Sequence, residues 1–299
     1  MSKILLPTVG VKGRYRFVVR DGATHQIKRE TDWIPNIITD LGLNSWGNNA
    51  FNCSYCQIGT GTTTPATTDT TLATYAAYTT STGNSTGNSG SPSYEGYRTY
   101  SYRFNVGVLS GNYSEIGVGF ATSGSLFSRA LIVDGGGSPT TITITSTEYL
   151  DVYYELRIIP PLTDSTATIT VTGLGSIDVT TRALNVGSWK PQQQGQFLPF
   201  FNANPYGYYT ASNTLVSYTT ASIGGTIITG ANNSYVNNSY ERGFNYGVGI
   251  GAAVTYGLFS IQSADSDSLV AFQFSLNPVI NKTALQTLSL SGKITWARA

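Results

Sequence analysis

Charge is scarce in this chain. Asp, Glu, Lys and Arg make up 11% of its 299 residues, less than half the roughly 25% usual in soluble proteins. The 17 basic and 16 acidic side chains leave a formal net charge of +1. Binding a nucleic-acid backbone needs clustered Lys and Arg to displace counterions, so no nucleic-acid partner is expected. Low net charge with ample hydrophobicity also excludes the usual composition of a disordered chain. Histidine occurs once, at His25, and cysteine twice, at Cys53 and Cys56. Two cysteines cannot staple a chain of this length, and one histidine leaves little for nucleophilic catalysis. No window approaches the roughly 18 apolar residues of a membrane-spanning helix, so no membrane insertion is expected. Between Lys3 and Pro7 stand only Ile4, Leu5 and Leu6, too few for the core of a secretory leader, and synthesis and folding in a cytosol are expected. Helix formers at helical spacing are missing too: Ala, Leu, Glu and Lys build no amphipathic stretch of a dozen residues.

Strand patterns fill the space that helices leave. Thr141-Ile142-Thr143-Ile144-Thr145 and Thr168-Ile169-Thr170-Val171-Thr172 alternate in polarity, and Leu150, Val152, Tyr154 and Leu156 interleave with Asp151, Tyr153, Glu155 and Arg157. That is the period of a half-buried strand. Gly/Asn/Ser/Pro clusters at 82–92, 134–139 and 230–239 supply the turns. Landmarks recur in order: Thr71-Leu72, Phe104, Ser125-Leu126 and Leu150 in the first half, then Thr214-Leu215, Phe244, Ser268-Leu269 and Leu288 in the second. The expected fold is all-β, with two tandem antiparallel β-sandwich (jelly-roll-like) domains related as an internal repeat. An N-terminal docking segment with strands would cover 1–56, and the first sandwich would cover 57–199. Its stretch from 160 is a connector whose strands, at 166–172 and 176–182, would complete that sandwich. The second sandwich would cover 200–299.

Few motifs carry chemistry. Cys53 and Cys56 form a C-x-x-C pair, but no second pair and no histidine pair is present to finish a zinc site, so two reduced side chains packed beside Phe51 and Ile58 are expected. No nucleophile elbow accompanies His25. Asp151 and Glu155 share a strand face and Asp265 and Asp267 a Ser-rich turn; both pairs read as solvated rather than as facing catalytic carboxylates. Gly59-Thr60-Gly61 is followed by neither Gly-Lys-Ser/Thr nor a helix, which excludes a phosphate loop. No enzyme, cofactor or metal ion is expected. Seven of the 17 basic residues precede position 30, at Lys3, Lys12, Arg14, Arg16, Arg20, Lys28 and Arg29. They describe either a strand with a charged face or a docking surface for an acidic partner subunit. Twenty tyrosines, among them Tyr94, Tyr97, Tyr100, Tyr102 and Tyr113 and later Tyr206, Tyr208, Tyr209, Tyr218, Tyr235 and Tyr240, are placed in or beside loops. There they suit protein interfaces or glycan stacking.

Several segments resemble a group of tailed-bacteriophage virion proteins. The resemblance lies in Gly13-Arg14-Tyr15-Arg16-Phe17, in Glu30 through Leu43 (Glu-Thr-Asp-Trp-Ile-Pro-Asn-Ile-Ile-Thr-Asp-Leu-Gly-Leu) and in Ile58-Gly59-Thr60-Gly61 with Pro65 and Asp69 to Leu72. It continues through Glu115-Ile116-Gly117, Leu126 to Ala130, Tyr154 to Arg157 and the ending Ile294 to Arg298. It implies a non-enzymatic structural protein of the virion, in the tail, baseplate or tail-fibre apparatus, with other virion proteins as partners. A homo-oligomer (trimer or ring) would bury exposed strand edges. Arg14, Arg16, Arg20 and Trp33 are the candidate docking residues, and Tyr206, Tyr208, Tyr209 and Tyr235 the candidate outward, receptor-facing ones. Two alternatives stay open, a module that grips a host surface glycan and a capsid decoration or collar protein.

Overall fold

The structure, a computed structural model, describes residues 3–48, 50, 52–191, 206–251, 253–262 and 270–299. The chain opens with β1 (Ile4–Leu5), β2 (Val9–Asp21), β3 (Ile27–Glu30), β4 (Ile34–Pro35) and β5 (Ile37–Ile38), then the helix α1 (Asp40–Gly47). Next come β6 (Tyr55–Gly59), β7 (Tyr75–Asn88), β8 (Gly96–Phe104), β9 (Gly111–Tyr113), β10 (Glu115–Gly119), β11 (Leu126–Leu131), β12 (Ile142–Ile144) and β13 (Glu148–Ile159). The remainder is β14 (Ser165–Val171), β15 (Gly175–Leu184), β16 (Tyr206–Thr210), β17 (Thr226–Asn232), β18 (Glu241–Val248), β19 (Val254–Gln262), β20 (Ala271–Lys282) and β21 (Leu288–Arg298). The chain is mostly β, as its alternating segments require, and nineteen of these strands join one large curled sheet.

In the first half the ladder runs β2–β13–β8–β7–β6–β10–β11–β5, with every pair antiparallel. β7 turns the corner: its start pairs with β6 and its later part with β8. A second corner lies at Asn36, because β4 pairs with β2 while β5, one residue further on, pairs with β11. The sheet thereby curls back on itself. Inside it the even-numbered residues of β13, Leu150 to Ile158, meet Tyr15, Phe17, Tyr100 and Tyr102, all essentially out of solvent. Tyr100 and Tyr102 thus lie within a strand whose alternate side chains point inward, and not beside a loop. Burial pushes both phenols well above their usual pKa, so they remain neutral.

In the second half the ladder runs β14–β15–β20–β19–β16–β17–β18–β21, again antiparallel throughout. The connector strands therefore extend this second ladder. β15 aligns Asp178 to Leu184 against Asn277 to Ala271 of β20, which places the hairpin in this ladder and not in the one that holds β13, where it was expected. β21 also takes two parallel neighbours, β1 and the first residues of β2, so β2 belongs to the body of the fold. Ser268-Leu269 and the Asp265/Asp267 turn fall outside the described residues.

The helix α1 is the element that the composition conceals. Thr39 caps it, accepting from the Gly42 amide at 2.9 Å and donating to Leu126 O at 2.6 Å. Gly42 is needed there, because a Cβ at that position would sit 2.3 Å from the Phe127 carbonyl oxygen. α1 bridges the halves: Trp296 Nε1 of β21 donates to Leu43 O at 3.0 Å, and Tyr235 Oη to Asn44 Oδ1 at 2.7 Å. No helix among the described residues is long and apolar enough to cross a membrane.

Candidate functional site

The outer face of β2, β13 and β8 carries a cluster of paired charges. Asp151 stands opposite Arg103, and Glu155 opposite Arg14, in direct cross-strand register. Arg103 grips Asp151 with two bonds, Nε to Oδ1 at 2.7 Å and Nη2 to Oδ2 at 3.1 Å, and Arg20 Nε adds a third at 3.2 Å. The grip on Asp151 raises the Arg103 pKa. Glu155 receives Arg14 at 2.8 Å and Arg157 at 2.6 Å, and Arg157 reaches on to Glu95, which Lys12 also contacts. Asp151 and Glu155 are each 5% exposed. The expected solvated carboxylate face is instead a covered layer, because long basic side chains from the flanking strands lie across it.

The docking candidates belong to this layer. Arg14 pairs with Glu155 and rests its guanidinium 4.3 Å from the Trp33 ring centre. Arg16 pairs with Glu30 at 2.6 Å, and Arg20 with Asp151. Lys28 meets Asp21 at 2.9 Å, and Arg29 meets Glu148 at 2.8 Å. These hydrogen bonds hold both carboxyls below the usual range, Asp21 chiefly through Lys28 and Glu148, at about 2, chiefly through Arg29. Of the seven basic residues before position 30, six have acidic partners inside the chain. The basic cluster is thus a strand face neutralised by its own neighbours.

Beside this layer opens a groove of about 570 Å³. One wall is the stretch Arg29–Pro35 through β3 and β4. The other runs from Ile132 past Asp134 and Gly135 to Thr140–Thr143, the connection between β11 and β12. Trp33 is partly exposed along it and Asp32 is exposed. Asp134 Oδ1 accepts from the Gly136 and Ser138 amides, each at 2.9 Å, and so shapes the glycine-rich wall. Only Trp33 of this groove was among the candidates. Its walls lie a hundred residues apart in the chain, and no local spacing brings them together.

The outward candidates divide. Tyr206 and Tyr208 are partly exposed and meet edge to face, with ring centres 6.3 Å apart. Tyr209 turns inward onto Tyr256 at 4.6 Å and Phe259 at 6.1 Å. Tyr235 stacks on Trp296 at 5.9 Å and bonds Asn44, so it works at the joint between the halves. Cys53 and Cys56 are buried and free, and burial drives both thiols far above their usual pKa. Phe51 falls outside the described residues. Among the described residues no group of three or more His, Cys, Asp and Glu side chains could hold a metal ion.

Comparison with known proteins gives no family. No family model, no curated protein and no solved structure matches this chain.

Proposed function

We propose that this chain is a non-enzymatic structural component of a tailed-bacteriophage particle, in its tail, baseplate or fibre apparatus, and that it works as a homo-oligomer built from two copies of one β-unit. The repeat is supported by the pairing order. In β13–β8–β7–β6–β10–β11–β5 and β21–β18–β17–β16–β19–β20–β15, strands taken in chain order have corresponding neighbours throughout. The placement in a virion is supported by the sequence resemblance.

One observation carries the assembly reading: β7 and its counterpart β17, which pairs first with β16 and then with β18, are uncharged and open to solvent. β7 (Tyr-Ala-Ala-Tyr-Thr-Thr-Ser-Thr-Gly-Asn-Ser-Thr-Gly-Asn) has no charged residue and leaves Tyr75 40% and Tyr78 44% exposed. β17 likewise has none and leaves Ile227 62% exposed, opposite Tyr208. Surfaces of Tyr, Thr, Asn and Ile without charge lose little on desolvation and fit protein interfaces. The arginines of the N-terminal strands contribute rigidity beside such a surface.

Gold-labelled antibody against the purified chain, imaged on particles from the source, tests this reading. Label at the tail or baseplate supports it. Label over the head would favour a decoration or collar protein, and particles without label would remove the virion reading. Light scattering on the purified chain reads the oligomer separately. Tyr78→Glu should shift it towards monomer, and a wild type monomeric at all concentrations would remove the oligomer.

A further inference from the structure

The groove between β3–β4 and the β11–β12 connection holds polar groups that the fold does not use. Asp32 is exposed and has no hydrogen bond or ion pair among the described residues, and the same holds for the Trp33 indole N–H. Around them almost every other charge is engaged: Arg29 with Glu148, Glu30 with Arg16, Asp134 through one oxygen with its own loop. Trp33 is held in place by the Arg14 guanidinium on one face of its ring, and Arg14 is fixed in turn by Glu155. The indole is therefore pre-positioned by an ion pair and costs little entropy to use. Thr141 adds an exposed hydroxyl on the opposite wall.

We propose that this groove is a binding site for a neutral saccharide ring. A pyranose presents an apolar C–H face and a rim of hydroxyls, and the groove offers an indole plane with an unpaired carboxylate and an unpaired N–H next to it. The Asp32 carboxylate would accept from two neighbouring hydroxyls of the ring stacked on the indole, a charge-assisted bidentate arrangement, while Trp33 Nε1, whose hydrogen points along the indole plane, donates to a hydroxyl beyond that ring's edge. An anionic sugar or a phosphate is disfavoured by Asp32 and Asp134, which carry the groove's unneutralised charge. A volume of about 570 Å³ lies within the range of small-ligand sites and holds one or two rings. The proposal rests on the groove alone and stands or falls separately from the place of the chain in a particle.

The four tryptophans make the test direct. Trp46 and Trp189 are 0% exposed and Trp296 is 2% exposed, so acrylamide quenching of the native protein reads Trp33. The probes are methyl α-D-glucoside, methyl β-D-galactoside, methyl α-D-mannoside and N-acetylglucosamine, each titrated to about 100 mM into the full chain. Protection of the quenchable fluorescence by at least one of them is expected, with Trp33→Phe abolishing the quenchable component itself. Asp32→Asn lies on the surface and should fold as the wild type does, while weakening that sugar at least tenfold. The proposal is overturned if none of the four protects, or if protection survives Asp32→Asn unchanged. Equal or better protection by N-acetyl-lysine amide would also overturn it, by making the groove a pocket for a cationic side chain.

Discussion

Glu115 and Arg129 form an ion pair wholly inside the protein, 2.8 Å apart, with side chains 0% and 2% exposed. The carboxylate has no idle oxygen: it also accepts from the amides of Gly61, Ala73 and Thr74 at 2.7–2.9 Å. It therefore pins both ends of the long 60–74 connection to β10. Glu115→Ala would leave Arg129 with only Asp69 and the Thr63 carbonyl and strand three amides. A loss of about 3–5 kcal/mol is expected, read by urea denaturation. A loss below about 1 kcal/mol would show that water replaces the carboxylate.

Acid should weaken the fold through Glu148. Its carboxyl titrates at about 2 in the folded chain and at roughly 4.3 when unfolded. A depressed folded value means that the stabilisation is complete above the unfolded value and disappears as pH falls towards the folded one. Stability should therefore fall between about pH 5 and 2, and Glu148→Gln should flatten that part of the profile. Thermal melts from pH 6 to 2 measure it, and parallel profiles for the two proteins would refute the assignment.

Both thiols should be silent in the native protein. Cys53 and Cys56 are buried, and the thiolate, which is the reactive form, is suppressed there. Ellman's reagent at pH 8 should titrate none in buffer and two in 6 M guanidinium. Rapid reaction of either one without denaturant would mean that the β6 region opens locally.

The joint at α1 can be graded. Tyr235→Phe keeps the stack on Trp296 and removes one hydroxyl, while Asn44 Oδ1 retains the Asn238 amide at 2.8 Å. A cost of about 0.5–1.5 kcal/mol follows. Trp296→Ala empties a fully buried site and should cost about 3–5 kcal/mol. Equal effects from the two would show that α1 is not held by the indole.

Some of this was readable in the sequence, and the limits have physical causes. The alternation in β13 marked Leu150, Val152, Tyr154 and Leu156 as inward, because strand period is a local property. That Asp151 and Glu155 are covered was not readable, since Arg14 and Arg20 come from a strand about 130 residues earlier. α1 was hidden by its own composition: Asp-Leu-Gly-Leu-Asn-Ser-Trp-Gly has two glycines and poor propensity, and packing of Leu43 and Trp46 overrides that. The signal that could have found it is Thr39 followed by Asp40, a cap and an acidic first turn. The groove left one trace, an isolated Trp33 beside Asp32; its second wall is a matter of tertiary contact alone.

The parallel contact of β2 with β21 governs when the fold can be finished. Val9–Val11 align with Trp296–Arg298, and the Ala299 amide closes on Val11 O at 2.8 Å. A ribosome delivers the first of these segments long before the second. During that interval the opening residues of β2 wait with one side unpaired, an edge that any neighbouring nascent chain could cover. Contacts so distant in sequence also slow folding. Many chains made on one message would thus be most adhesive to each other until β21 has emerged, and that strand is the one that ends the hazard.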